Sequence, residues 1–128
     1  MSVYIDDAFI DATVGSADRR FRSRWCHLVA DSSEELLQFA ERLGIDQRWL
    51  QRRGEPGEHF DLPEPRREHA VQYGAIEISW RESVALVRAH RAGEAFDLAG
   101  LRASAQRASD SASATTVRTP WPVPPAGV

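Results

Sequence analysis

The sequence contains no lysine and no asparagine, and its only cysteine is Cys26. A single thiol excludes an intramolecular disulfide and a zinc site built on several cysteines. All 16 basic residues are arginine, whose planar guanidinium binds carboxylates and phosphates in a fork-like geometry. Because lysine and asparagine have A/T-rich codons, their absence indicates a genome of high G+C content.

Long apolar runs are missing too, so we expect no membrane-spanning helix. The first seven residues lack the basic start and apolar run of a secretory signal, so we expect a cytoplasmic protein.

Residues 1–100 carry 18 carboxylates and 13 arginines, and an acidic domain is a poor general binder of nucleic acid. The sequence leaves two kinds of partner open. One is a small-molecule ligand, and the other is a further copy of the same chain in a homo-oligomer.

The hydrophobic patterns predict one α/β domain over residues 1–102, with a small mixed, partly parallel sheet and three main helices. Residues 24–30 alternate as a strand buried on both sides, with Cys26 on one face and His27 on the other. Further strands are expected from residue 3 and at 75–79, helices at 33–43, 65–73 and 80–92, and a turn at 13–18. The Ala/Ser/Pro-rich residues 103–128 are expected to form a disordered tail.

Several polar side chains fall at predicted strand ends and in one loop. They are Asp6, Asp7, His27, His59 and Asp61. Strands would fix such side chains while the loops leave them accessible. If the five converge, Asp6 and Asp7 could bind a divalent metal, with His27, His59 and Asp61 as catalytic groups. A metal-free alternative uses His59 as a general base that Asp61 orients.

Ligand-binding roles are predicted for Arg24, Trp49, Gln51, Arg66 and Arg67. The two arginines near a helix start, Arg66 and Arg67, would bind a phosphate together with the helix N-terminus. Trp49 beside Gln51 could line a pocket. Cys26 stands inside an apolar run and is predicted to be a buried small hydrophobe rather than a nucleophile.

The same residues have structural alternatives. Asp7 can simply end a strand, Asp61 can cap a helix, and a strand histidine such as His27 can be part of a satisfied core. Three classes of function therefore stay open. One is a metal-assisted or acid/base hydrolase of a phosphorylated or nucleotide-like small molecule. Another is a non-catalytic module that binds an anionic ligand or a protein through the arginines of 19–24 and the Trp49 region. The third is a self-associating structural protein with an apolar interface centred on the predicted helix 80–92.

Six short segments stand out together: Val-Tyr-Ile-Asp-Asp at 3–7, Arg-Trp-Cys-His-Leu-Val-Ala-Asp at 24–31, Glu-Glu-Leu at 34–36, Trp-Leu-Gln at 49–51, His-Phe-Asp at 59–61 and Arg67 through Ala75. In order and spacing they resemble the family called domain of unknown function 4031, over residues 3–80. The resemblance implies a small actinobacterial or phage protein of unassigned activity. Some family members are joined to a phosphohydrolase-type metal domain, which implies a link to nucleotide or phosphoester metabolism. The family usually has Ser or Met where Cys26 stands, which argues further against a cysteine mechanism.

Overall fold

A computed structural model describes residues 2–16 and 19–114 of the chain. The chain divides after Phe96 into two compact units. The first contains β1 (Val3–Ile5), β2 (Ile10–Ser16), β3 (Arg19–Ala30), α1 (Ser33–Leu43), a 3₁₀ turn (Gln47–Trp49), β4 (Phe60–Pro63), α2 (Glu64–Gln72), β5 (Ile76–Glu77) and α3 (Trp80–Arg91). The second contains α4 (Leu98–Ala114).

Strand β3 is the centre of a sheet to which five strands of the described residues contribute. It pairs antiparallel with β1, β2 and β4. Strand β4 pairs with residues that also pair with β1 or β2, so it must occupy the opposite edge of β3. Strand β5 continues the sheet beyond β1 as a parallel pair. The predicted α/β class with a mixed, partly parallel sheet is confirmed.

A bulge separates β1 from β2 along the same edge of β3. Ile5 pairs with Leu28, whereas the next pair joins Ile10 to Trp25. Four residues, 6–9, therefore stand opposite only two residues of β3. Bulges of this kind redirect side chains and are common beside functional sites. This one carries the two consecutive aspartates of the sequence.

The two faces of β3 and β4 have different surroundings. The core includes Ile5, Cys26, Leu28, Phe60 and Leu62 from the sheet, Leu36, Phe39, Ala40 and Leu43 from α1, and Ala70 from α2. His27 points away from this core, so the predicted alternation of residues 24–30 is confirmed. On His27's face lies α3, whose Ser83 donates a hydrogen bond to the carboxylate of Asp6.

The best-predicted helices have clear start signals. The Ser32 hydroxyl accepts a hydrogen bond from the Glu35 amide at the start of α1, and Gly44 ends the helix at φ +75°. Ser79 and Glu82 form a reciprocal capping box at the start of α3. The helix predicted at 33–43 is confirmed, and α2 and α3 lie within one residue of their predicted bounds.

Several segments differ from prediction. Strand β3 begins at Arg19 rather than at residue 24, and β5 covers only Ile76–Glu77 of the predicted 75–79. Residues 13–16, predicted as a turn, belong to β2, because Ile10, Ala12 and Val14 alternate along a strand paired with β3. Residues 60–63 form β4, which was not predicted. Helix α4 extends through Ala114, past the predicted boundary at 102, because its alanines favour helix. The predicted tail residues 115–128 lie outside the described residues. Among the described helices, none is long and apolar enough to cross a membrane.

Candidate functional site

The register of β3 and β4 brings together three of the predicted site residues. His27 and Asp61 are direct partners across the antiparallel pair. His59 lies two residues before Asp61 and so faces the same side of the sheet. Its backbone is held by two hydrogen bonds with Gln51, which close the intervening loop. The three side chains therefore share the sheet face that lies opposite the core.

Each of these side chains directs one atom toward a common point. Nε2 of His27 lies 3.7 Å from Oδ1 of Asp61, and Nε2 of His59 lies 3.3 Å from the same oxygen. The three ligand atoms lie within 4.8 Å of one another. A metal ion about 2.1 Å from each ligand would place ligand atoms about 3.0–3.6 Å apart at angles of about 90–120°. Small side-chain adjustments would therefore suffice to bind an ion.

The Asp6 carboxylate fixes the orientation of the His27 ring. Nδ1 of His27 lies 2.7 Å from Oδ2 of Asp6, and the His27 amide donates to Oδ1 at 2.8 Å. Burial alone would raise the pKa of Asp6, but these hydrogen bonds hold it below its ordinary value. The hydrogen bond to Asp6 raises the pKa of His27 against the opposing effect of burial. An ionised carboxylate only accepts, so Nδ1 carries the proton and Nε2 of the neutral ring has the free lone pair.

His59 is held in the same tautomer by a different partner. Its Nδ1 lies 2.7 Å from the carbonyl oxygen of Gly57, which can only accept a hydrogen bond. The side-chain amide of Gln51 donates to Oδ2 of Asp61 and leaves Oδ1 directed at the two rings. Burial alone would raise the pKa of Asp61, but the facing imidazoles and Gln51 lower it.

Three acceptor atoms therefore meet at one point when both rings are neutral. Such a group is electrostatically repulsive unless a cation lies among them, as a metal ion or as a proton on one ring. Two imidazoles and one carboxylate are typical ligands of Zn²⁺ and of non-haem Fe²⁺. The Asp6–His27 hydrogen bond also matches the carboxylate–histidine–metal arrangement that orients ligating histidines.

Both histidines line an open groove with a volume of about 530 Å³, which lies within the range of small-molecule sites. The groove is bounded by β3, the loop before β4 and α3. Its apolar wall is formed mainly by Val29, Trp80, Val84 and Val87, and its basic side chains are Arg52, Arg88 and Arg91. The candidate metal centre is thus accessible to a ligand of moderate size.

The two aspartates of the bulge do not lie among the converging atoms. Asp6 is fully buried and contacts the Nδ1 side of His27, on the far side of the ring from Asp61. Asp7 accepts a hydrogen bond from the Trp80 amide at 2.8 Å, at the start of α3. Asp6 is therefore placed to orient the His27 ring rather than to join the converging atoms.

The predicted ligand-binding residues are dispersed. Gln51 contacts the site through Asp61. Arg24 forms an exposed ion pair with a carboxylate of α2, and Trp49 is exposed beside a neighbouring arginine. Arg66 donates to the last carbonyl of α1 at 2.8 Å, and Arg67 donates to a carbonyl of the bulge at 2.9 Å. Of these five side chains, only Gln51 contacts a member of the cluster.

Sequence reasoning missed the three arginines of the groove. Arg88 and Arg91 could have been found, because they share one face of α3 with Val84 and Val87 at helical spacing. Arg52 has no such signal, since it lies in an irregular loop whose path depends on the pairing of residues 51 and 59.

The fold and the cluster together define a small α/β protein with a two-histidine, one-carboxylate centre on its sheet. The model of the family described as protein of unknown function (DUF4031) matches residues 3–90, and the chain belongs to this family. The matched segment contains His27, His59 and Asp61. No curated protein and no solved structure matches the chain.

Proposed function

We propose that the protein is a metal-dependent hydrolase of a phosphorylated or nucleotide-like small molecule, with His27, His59 and Asp61 as the metal ligands. The observation that carries the proposal is the convergence of three acceptor atoms on one point. Both histidine tautomers are set by hydrogen bonds on the opposite ring nitrogen. With both rings neutral, none of the three facing atoms can donate a hydrogen bond, so the group is suited to hold a cation.

The donor set favours a transition-metal ion over Mg²⁺ or Ca²⁺, because imidazole nitrogens suit zinc and iron whereas the other two prefer oxygen ligands. Three protein ligands leave at least one coordination position for water or substrate. A bound ion would lower the pKa of that water and polarise a phosphoryl oxygen. Zn²⁺ is the first ion to test.

In the proposed reaction, water attacks the phosphorus of a phosphate ester while the P–O bond to the alcohol breaks. The alcohol leaves with one proton of the water, and inorganic phosphate retains the hydroxyl. The protein's own contribution is positioning: Asp6 orients His27, the Gly57 carbonyl orients His59, and Gln51 orients Asp61.

The first experiment measures metal binding by the chelator-treated full chain. We expect one Zn²⁺ per chain by calorimetry, with at least about tenfold weaker binding by His59→Ala and Asp61→Asn. His69→Ala is the matched control, because it removes an exposed imidazole from α2 without touching the cluster. Equal Zn²⁺ affinities of wild type and both cluster variants would contradict the metal site.

The second experiment measures phosphate release from nucleotides and from para-nitrophenyl phosphate. We expect release that requires the metal ion, is lost in His59→Ala and persists in His69→Ala. Metal binding without hydrolysis of any phosphoester would contradict the hydrolase and favour a non-catalytic module for an anionic ligand. Hydrolysis that survives His59→Ala would assign the activity to another site or to a contaminant.

A further inference from the structure

The three arginines of the groove differ from the other basic side chains around the site. Within residues 2–16 and 19–114, Arg52, Arg88 and Arg91 have no ion-pair partner, whereas Arg24 and Arg67 are each paired with a carboxylate. The described residues that line the groove include no acidic side chain. Residues 1–100 carry more carboxylates than arginines and so have a net negative charge. The excess of positive charge in the groove is therefore opposite in sign to the net charge of these residues.

The backbone around Arg52 holds it at the groove. Arg52 has φ +56°, in the left-handed region that side chains other than glycine rarely adopt. The loop is closed by the paired residues Gln51 and His59. A Cβ at Gly57 would lie 3.0 Å from Nη1 of Arg52, so the missing side chain leaves room for the guanidinium beside the site.

Arg88 and Arg91 approach the same groove from α3. They are three residues apart and therefore neighbours on the helix surface, where like charges repel. A bound anion would relieve this repulsion. Arginine guanidinium groups bind phosphate through paired, charge-assisted hydrogen bonds. Basic side chains from two separate elements thus meet in a groove that also holds the candidate metal centre.

The wall beside these arginines is apolar. Trp80 is 52% exposed and lines the groove, where its aromatic side chain can contact a planar group. Val84 and Val87 follow on the same face of α3 and extend this wall. A ligand that fits would have an anionic end and an apolar or planar end.

We infer that Arg52, Arg88 and Arg91 bind the phosphate of the substrate, and that Trp80, Val84 and Val87 bind the rest of it. The substrate class is a phosphate monoester of an alcohol with a planar or apolar group, such as an aryl phosphate or a nucleoside monophosphate. The inference rests on the proposed function, because the adjacent metal centre would cleave the ester.

Calorimetry with inorganic phosphate and phenylphosphonate tests the subsite, because neither probe contains a bond that the proposed reaction would cleave. The metal-free and the Zn²⁺-treated full chain are both titrated. We expect tighter binding of phenylphosphonate than of phosphate. The double variant Arg88→Gln/Arg91→Gln should weaken the binding of both probes about tenfold or more. Arg81→Gln is the matched control: it removes an exposed arginine of α3 outside the groove and should change either affinity less than about twofold.

A second variant separates the apolar wall from the charges. Trp80→Ala should weaken the binding of phenylphosphonate but not of phosphate. Circular dichroism and thermal unfolding of each variant confirm that it folds. Wild-type affinities in the double variant, or no anion binding by the wild-type chain, would overturn the subsite.

The Zn²⁺ affinity of the double variant distinguishes this inference from the proposed function. We expect it to stay within about twofold of wild type, since no metal ligand is changed. Arginine-dependent anion binding by a chain that binds no metal would overturn the hydrolase and retain the subsite. Metal binding together with anion binding that does not depend on the arginines would overturn the subsite and retain the metal site of the proposed function.

Discussion

Nδ1 of His27 and Oδ2 of Asp6 lie 2.7 Å apart, across the junction between β3 and the bulge that follows β1. The Asp6 carboxylate is fully buried and also accepts hydrogen bonds from the amides of His27 and Ala8 and from the Ser83 hydroxyl. The aspartate therefore has no role at the groove surface. Its structural effect is to direct Nε2 of His27 toward Asp61.

The Asp6→Asn variant tests this positioning role. An asparagine NH₂ group would donate to Nδ1 of His27 and move the ring proton to Nε2, where the lone pair is needed for a metal. We expect Zn²⁺ affinity to fall about 10- to 100-fold. Nitrogen NMR of the imidazole in the metal-free protein should show the change of tautomer.

Asp7→Asn is the control for that experiment. The Asp7 carboxylate accepts a hydrogen bond from the Trp80 amide, and the side-chain oxygen of an asparagine can accept the same hydrogen bond. Zn²⁺ affinity should therefore stay within about twofold of wild type. A loss in Asp7→Asn equal to that in Asp6→Asn would point to a general disturbance of the bulge and contradict the tautomer argument.

Cys26 lies on the core face of the sheet, opposite the face that carries His27, and its reactivity tests this placement. Its thiol is fully buried in the core, and this burial raises its pKa. We expect a thiol reagent to leave the native protein unmodified at neutral pH and to label it fully in denaturant. Cys26→Ala should lower the free energy of unfolding by about 1 kcal/mol and leave Zn²⁺ affinity unchanged. Rapid labelling of the native protein would contradict this placement.

Local sequence patterns predicted the parts of the fold that local physics determines. The alternation around Cys26 and His27 indicated which face each side chain would occupy, and Ser32 and Ser79 marked two helix starts. The strand at 60–63 was missed although Phe60 alternates with polar neighbours, because four residues are too few to separate a strand from a loop.

The site itself depends on pairings distant in sequence. His27 and Asp61 are 34 residues apart and meet only through the register of β3 and β4, which no local pattern specifies. For the same reason, the sequence could suggest that Asp6 and the histidines belong together but not which ring nitrogen the aspartate would contact. The unpaired state of Arg52 likewise depends on a loop whose path is set by tertiary contacts.

Helix α3 carries two of the three arginines of the proposed anion subsite, whereas the proposed metal ligands lie on and beside the sheet, so the two parts of the groove should respond differently to loss of a helix cap. Ser79 accepts a hydrogen bond from the Glu82 amide at 3.1 Å, and the Glu82 carboxylate accepts one from the Ser79 amide at 2.8 Å. Ser79→Ala should lower the free energy of unfolding by about 1 kcal/mol in urea titrations. Zn²⁺ affinity should stay within about twofold of wild type.

Ser79→Asp is the matched variant, because aspartate is also a good N-cap and should retain most of the stability. A tenfold loss of Zn²⁺ affinity in Ser79→Ala would show that the metal centre depends on the start of α3. That result would contradict the separation of the two parts of the groove.

Tyr4 leads to a prediction at alkaline pH. Its ring is buried, and its hydroxyl lies 3.1 Å and 3.2 Å from the carboxylate oxygens of Asp31. Burial, followed by the negative charge of Asp31, raises the pKa of Tyr4 above the ordinary value of about 10 for a tyrosine. The native state therefore holds this proton more tightly than the unfolded state does. The resulting stability is fully present below pH 10 and is lost as the pH rises through the raised pKa.

The Tyr4→Phe variant isolates this contribution. At pH 8 its free energy of unfolding should be about 1 kcal/mol below wild type, because the hydrogen bond to Asp31 is lost. Urea titrations between pH 8 and pH 11 should show a smaller alkaline decline in this variant than in wild type. Tyr73→Phe, which changes an exposed tyrosine, should retain the wild-type decline. Equal declines in Tyr4→Phe and wild type would contradict this assignment. They would mean that a group other than Tyr4 holds a proton more tightly in the native state than in the unfolded state, since only such a group lowers stability as the pH rises.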